Sequence, residues 1–209
     1  MLESLTLAFT LDCISFFFIL TYHFMTLQSY YIFSLFLFLV SFFCTNFAQH
    51  FLFYNKKGHM RAVIQRVSHA SVAIEGKVKS EIGNGFLVLL GCANDDTQQD
   101  IDWLSRKITG LRVFDDENGV MNKSIMDTGG DILVVSQFTL WASYKKGNRP
   151  SYLRAGSHET TTPLYETFVK KLSADLGKPV GTGEFGAMME VSLVNDGPVT
   201  ICMDSKNPE

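Results

Sequence analysis

Three short stretches hold residues whose types and spacing fit chemistry. "SQFTL" (136–140) closes the very apolar run "DILVV" with Ser136, Gln137 and Thr139. Polar side chains and backbone N–H groups at a strand end can line a ligand pocket. A strand that merely surfaces at the rim of a sheet has the same pattern. Thr139 is a nucleophile only with a base beside it, and the sequence supplies no evident one. His69 and His158 are the only histidines after Met60, and each reads more simply as a solvated side chain. "VSLVNDGPVT" (191–200) breaks an alternating pattern at Asn195-Asp196-Gly197-Pro198. That Gly-Pro step is either a corner or a rigid device that presents two main-chain carbonyls. "KKGNRPSYLR" (145–154) gathers Lys145, Lys146, Arg149 and Arg154 in an otherwise acidic stretch of chain. Such a cluster is either a solvated face or a place that attracts phosphates. No phosphate loop, zinc-ligand spacing or Ser-His-Asp pattern is present.

The elements that must position these residues follow from periodicity. "MRAVIQRVSHASVAIEGKVKSEIG" alternates about Glu75-Gly76 and predicts a hairpin. "GFLVLLGC" (85–92) is wholly apolar and predicts a buried strand. Asn94-Asp95-Asp96-Thr97 offers a cap for a helix over about 98–111, with Ile101, Leu104, Ile108 and Leu111 on one face. "DDENG" (115–119) predicts a turn, 131–140 a strong strand and 141–152 a loop. Thr162 as cap with Pro163 behind it predicts a second helix ending at Gly177. "MMEVSLVN" and "VTICMD" predict two final strands. The class is α+β: a largely antiparallel, barrel-like sheet with two main helices.

The chain falls into two parts, 1–59 and 60–209. Residues 1–59 hold 13 of the 18 Phe and no charged residue between Asp12 and Lys56, a composition unlike the rest. Conceptual translation of A/T-rich DNA upstream of a start at Met60 yields such a mixture, which makes this segment an expected start-site artefact. The alternative is a membrane anchor through 31–49, with Lys56 and Lys57 holding the next domain on the cytoplasmic side. A secretory signal fits poorly, because there is no basic leader and no small-residue cleavage site. Glu3 and Asp12 balance Lys56 and Lys57, so the net charge of −3 belongs to 60–209. That speaks against broad non-specific nucleic-acid binding but allows a local basic patch. Cys13, Cys44, Cys92 and Cys202 are scattered, with neither metal nor disulfide spacing, which points to a reducing compartment.

From Met60 to about Asp204 the chain resembles the D-aminoacyl-tRNA deacylases. The resemblance rests on "MRAVIQRV", "SQFTL", "KKGNRPS" and "VSLVNDGPVT", in order and at the family's spacing. It implies a cytoplasmic, homodimeric carboxylic ester hydrolase that frees a D-amino acid from the 3′-terminal adenosine of tRNA. Its active site would lie at the subunit interface. It implies no metal or organic cofactor and no need for DNA, and a membrane partner only if residues 1–59 are real. Carried over, Gly197 and Pro198 form a Gly-cis-Pro motif that enters the partner's pocket and bars L-amino acids with rigid carbonyls. Glycine, having no side chain to bar, would also be cleaved, which clears glycine misloaded on tRNA for alanine. Ser136, Gln137, Phe138 and Thr139 would line the pocket. N–H groups around Phe138 and Thr139 would hold the oxyanion, and the ribose 2′-hydroxyl would help activate water. Arg66 would steady the Gly-Pro loop, and Lys145, Lys146 and Arg149 would meet the tRNA. Two other readings stay open. One is a non-catalytic tRNA- or DNA-binding module of the same fold. The other is a sibling that edits L-alanine, whose Gly-Pro step is trans; the Asn-Asp-Gly-Pro context favours the D-specific group.

Overall fold

The structure, a computed structural model, describes residues 60–208. The artefact and anchor readings of 1–59 lie outside the described residues. Among the described residues no helix is long and apolar enough to cross a membrane.

The chain opens with the expected hairpin. β1 (Arg61–Ile74) and β2 (Lys77–Ile82) are joined at Glu75 and Gly76, both at positive φ. β3 (Gly85–Gly91) pairs antiparallel with the first half of β1. α1 (Gln98–Thr109) follows, and the small hairpin of β4 (Phe114–Asp115) and β5 (Met121–Lys123) surrounds the expected turn. One further turn of helix, α2 (Ile125–Thr128), escapes the sequence reading; Ser124 caps it by accepting from Asp127 N. β6 (Asp131–Ser136) then lies parallel to β3, and β7 (Gly181–Thr182) lies parallel to β6. α3 (His158–Leu176) packs on α1, and β8 (Glu190–Asp204) runs antiparallel along all of β1. The Ser80 hydroxyl donates to Thr182 O at 2.8 Å and accepts from Thr182 N at 3.2 Å. These two bonds tie β2 to β7 and nearly close the sheet into a barrel.

The sheet is largely antiparallel, as expected, with parallel pairing only at β3–β6 and β6–β7. The reason for the parallel pairing is visible in β3 and β6. Phe86, Val88, Leu90, Ile132 and Val134 face the layer of α1 and α3, while Leu87, Leu133 and Val135 face the barrel interior with Val67, Ala70 and Val72. Strands buried on both faces read as continuous apolar runs, and helical crossovers make parallel neighbours. Three boundaries differ from expectation. The strand at 131 stops at Ser136 and turns into a 3-10 turn, Phe138–Trp141. The second long helix starts at His158 and not at Thr162, because the Ser157 side chain accepts from Thr160 N and caps it there. Pro163 then sits inside the helix, where the Thr161, Thr162 and Thr167 hydroxyls donate to carbonyls four residues back. The two final strands are one strand with its ladder interrupted at 196–199.

The junction between β3 and α1 holds a buried carboxyl. Asp96 accepts the Ala93 N–H at 2.7 Å through Oδ2, while Oδ1 is buried without a partner. Burial pushes its pKa from 3.8 up to about 7, with Asp100 and Asp95 pushing the same way against the Ala93 N–H and Lys206. Burial, then Asp96, pushes the neighbouring Cys92 thiol up to about 12, which makes it a packing residue and not a nucleophile. A carboxyl with a raised native pKa binds its proton more tightly folded than unfolded. Its contribution is thus fully present below about pH 4 and is lost as pH rises to about 7. Asp96→Asn is expected to melt a few degrees above the parent at pH 8 and level with it at pH 4, read by thermal unfolding at both pH values. A gain of equal size at both would show that the carboxyl does not titrate in this range.

Candidate active site

The turn at 137–141 is built by the end of the sheet. Ser136 completes the β3–β6 ladder opposite Leu90, and Gln137 N donates to Leu90 O at 2.7 Å. The chain then tightens: Leu140 N donates to Gln137 O at 3.3 Å and Ala142 N to Thr139 O at 3.0 Å. The N–H groups of Phe138 and Thr139 precede the first of these bonds, as at the start of any helix. They are a pair of adjacent donors at the surface, beside the half-buried Ser136, Gln137 and Thr139 and the exposed Phe138. The Gln137 side-chain amide donates to Thr139 Oγ1. A carboxamide is no base, so nothing here activates the threonine as a nucleophile. The two histidines are engaged elsewhere. His69 Nδ1 lies 3.8 Å from Glu81 Oε1, and the His158 ring packs edge-on against Phe185.

Two residues without a sequence signal hold this turn. Gly91 lies under it: a Cβ there would come within 3.0 Å of Gln137 O and 3.1 Å of the Leu140 Cβ. Arg61 grips it from β1. Its Nη1 donates to Leu140 O at 3.1 Å, its Nε pairs with Asp204 Oδ2 at 3.1 Å, and its guanidinium lies 4.3 Å above the buried Trp141 ring. Beyond the turn, Ser143 and Ser151 exchange two backbone hydrogen bonds of 2.8 and 2.9 Å. They pinch off an exposed hairpin that carries Lys145, Lys146 and Arg149.

The second group lies on the other edge of the sheet. β8 pairs with β1 at Val67↔Asn195 and again at Gln65↔Thr200, which leaves Asp196, Gly197, Pro198 and Val199 looped out opposite Arg66. The Gly197-Pro198 peptide bond is cis, and Gly197 has φ of 137°. The Asn195 side chain closes the base of the loop: Oδ1 accepts from Val199 N at 2.8 Å and Nδ2 donates to Thr200 Oγ1 at 3.0 Å. Arg66, 8% exposed, clamps the loop from within. Its Nε donates to Asp196 O at 3.0 Å and faces Asp196 Oδ2 at 3.2 Å, while Nη1 donates to Val113 O at 2.6 Å. The loop is fixed at both ends, yet Asp196, Gly197 and Pro198 are exposed.

The fold keeps these two groups apart within one chain. The strand order places β3 and β1 between β6 and β8, which is three ladder spacings, roughly 14 Å. Ser136 is level with Leu90, Ala62 and Met203, whereas the Gly-Pro loop sits opposite Arg66, four residues or roughly 13 Å further along. A cavity of about 570 Å³ between α1 and the β1–β8 pair includes Leu140 but none of Ser136, Gln137, Phe138 or Thr139.

Comparison with known proteins points in one direction. The profile of the family described as D-Tyr-tRNA(Tyr) deacylase matches residues 63–204. A D-aminoacyl-tRNA deacylase of Phocaeicola vulgatus is 68% identical over 150 residues, which span 72% of this chain and 100% of that one. Another, of Dechloromonas aromatica, is 59% identical over the same shares. A solved structure titled c-Myc DNA Unwinding Element Binding Protein superposes with a TM-score of 0.64 at 44% identity, covering 68% of this chain and 97% of that one. A probable eukaryotic D-amino acid tRNA deacylase shares the fold at 17% identity and a TM-score of 0.62, over 70% and 99% of the two chains.

Proposed function

The chain belongs to the D-Tyr-tRNA(Tyr) deacylase family and is a hydrolase; from that premise we propose that residues 60–209 cleave the ester between a D-amino acid and the terminal adenosine of tRNA, in the cytoplasm, by a route in which the RNA supplies the activating group. One observation carries the mechanism. The turn at 137–141 offers adjacent N–H donors for an oxyanion, but its only hydroxyl nucleophile is held by an amide and not by a base. The ester is already an activated acyl group, so the remaining need is a deprotonated water. The ribose 2′-hydroxyl, next to the scissile bond, is placed to assist it.

In this reading Ser136 and Gln137 orient the substrate, the Phe138 and Thr139 N–H groups meet the developing negative charge, and Lys145, Lys146 and Arg149 draw in the phosphates. The Gly197-Pro198 loop acts on a second copy of the chain, because its own turn is too far along and across the sheet. Main-chain oxygens near the substrate Cα would clash with an L side chain and lose solvent against it. A D side chain would point away and need not be recognised. Exclusion of this kind separates mirror images better than apolar fit, which discriminates similar ligands by only about 1–3 kcal/mol. Glycine, with nothing to exclude, is then a substrate, and glycine misloaded on tRNA for alanine is cleared.

Deacylation of charged tRNA tests the reading. D-tyrosyl-tRNA and glycyl-tRNA for alanine are expected to be hydrolysed, and L-tyrosyl-tRNA at least about a hundredfold more slowly, equivalent to ~3 kcal/mol. Binding of tRNA without release of the D-amino acid would replace the enzyme with a non-catalytic module.

A further inference from the structure

The 3-10 turn opens on Phe138, whose ring forms with Tyr152 an aromatic pair outside the buried core. Phe138 is 57% exposed and meets Tyr152, 39% exposed, edge to face with ring centroids 5.2 Å apart. Tyr152 directly follows the Ser143–Ser151 bridge, and Ala142 N, on the other side of that bridge, donates to Thr139 O. The pair is thus fixed to the oxyanion donors on one side and to the basic hairpin on the other. From Trp141 to Ser157 the chain carries Lys145, Lys146, Arg149 and Arg154 and no acidic residue, within a part whose net charge is −3. Among the described residues no ion pair involves Lys145, Lys146 or Arg149.

Resting on the deacylase reading, we propose that Tyr152, held crosswise against Phe138 with the ring planes 69° apart, is the stacking platform for the unpaired nucleotide just upstream of the terminal adenosine. An exposed ring bordered by unopposed cations fits single-stranded RNA: the ring takes a base face and the cations take the backbone. Stacking suits this position because the nucleotide is unpaired and its base face is open to an aromatic ring. The placement also explains how an acidic protein selects the tRNA end locally. The charge brings the strand to the hairpin, and the ring sets its register so that the last ribose reaches the Phe138 and Thr139 N–H groups.

The experiment compares the parent, Tyr152→Leu and Tyr152→Phe on two substrates: D-tyrosyl-tRNA and the fragment D-tyrosyl-adenosine, which lacks the upstream nucleotide. Tyr152→Leu is expected to raise KM for the tRNA about tenfold with kcat within twofold. For the fragment its KM stays within twofold of the parent's. Tyr152→Phe, which retains the ring, restores the tRNA value. An equal loss on both substrates, an unaltered KM for the tRNA, or no rescue by phenylalanine overturns the platform. A parent that cleaves neither substrate overturns the deacylase reading instead.

Discussion

D-tyrosyl-tRNA whose terminal adenosine lacks its 2′-hydroxyl is expected to be deacylated about a thousandfold more slowly than the natural substrate, while Thr139→Ala stays within about tenfold of the parent. The first figure is the middle of the range for a positioned proton-transfer group, roughly 10²–10⁴. It is assigned to the RNA because the protein offers no alternative at this turn. Thr139 Oγ1 accepts from the Gln137 amide, and the two histidines among the described residues lie elsewhere, beside Glu81 and Phe185. The second figure is small because the proposed route uses the Thr139 backbone N–H, which alanine keeps. Gln137→Ala should behave likewise, since its backbone N–H to Leu90 O is what anchors the turn. Single-turnover rates of the parent, Thr139→Ala and Gln137→Ala on both substrates decide the matter. A dead Thr139→Ala beside normal turnover of the deoxy substrate would move the nucleophile to the protein.

The sequence was informative where one physical term dominated. Alternation about Glu75-Gly76 is a hairpin because its faces differ in burial, and Ile101, Leu104 and Ile108 mark α1 because that face packs on the sheet. The motifs at 136–140 and 195–198 were legible as polar or turn residues ending apolar strands. What each does afterwards was not, because it depends on partners distant in the chain. "VSLVNDGPVT" reads as two strands and a turn. Yet β1 is long enough to pair on both sides of Gly197-Pro198, and so the corner becomes a loop on one strand. Gln137 to Leu140 reads as strand because it continues the run from Asp131, but β3 ends at Gly91 and no ladder remains for it. Arg61 carries no local signal at all. Its role exists only where β8 brings Asp204 and the 3-10 turn brings Leu140 and Trp141 to the same guanidinium.

Arg66→Leu is expected to lower the ratio of D- to L-tyrosyl-tRNA deacylation about a hundredfold, the largest loss of selectivity from any residue that does not itself border the substrate. Exclusion works only if the barring oxygens cannot retreat, and the loop at 196–199 is restrained by two devices: Asn195 at its base and Arg66 beneath Asp196. Leucine fills part of the space but donates nothing. Asp196 O then turns to solvent and the loop can swing by the length of the missing guanidinium. The same change strips Val113 O of its buried donor at 2.6 Å. An unsatisfied buried carbonyl costs about 1–3 kcal/mol, so melting should fall by roughly 2–12 °C. The two effects are separable. Arg66→Lys can reach only one of the two carbonyls, because a single ammonium cannot span the fork that a guanidinium provides. If it regains stability by satisfying Val113 O, selectivity should remain poor; if it satisfies Asp196 O, selectivity should recover while melting stays low. Asp115→Asn is the control, since Asp115 touches Nη1 only at 3.5 Å from an exposed position and should change neither. Equal falls in the D and L rates for Arg66→Leu, with their ratio preserved, would reduce Arg66 to a structural residue and remove loop rigidity from the account of handedness.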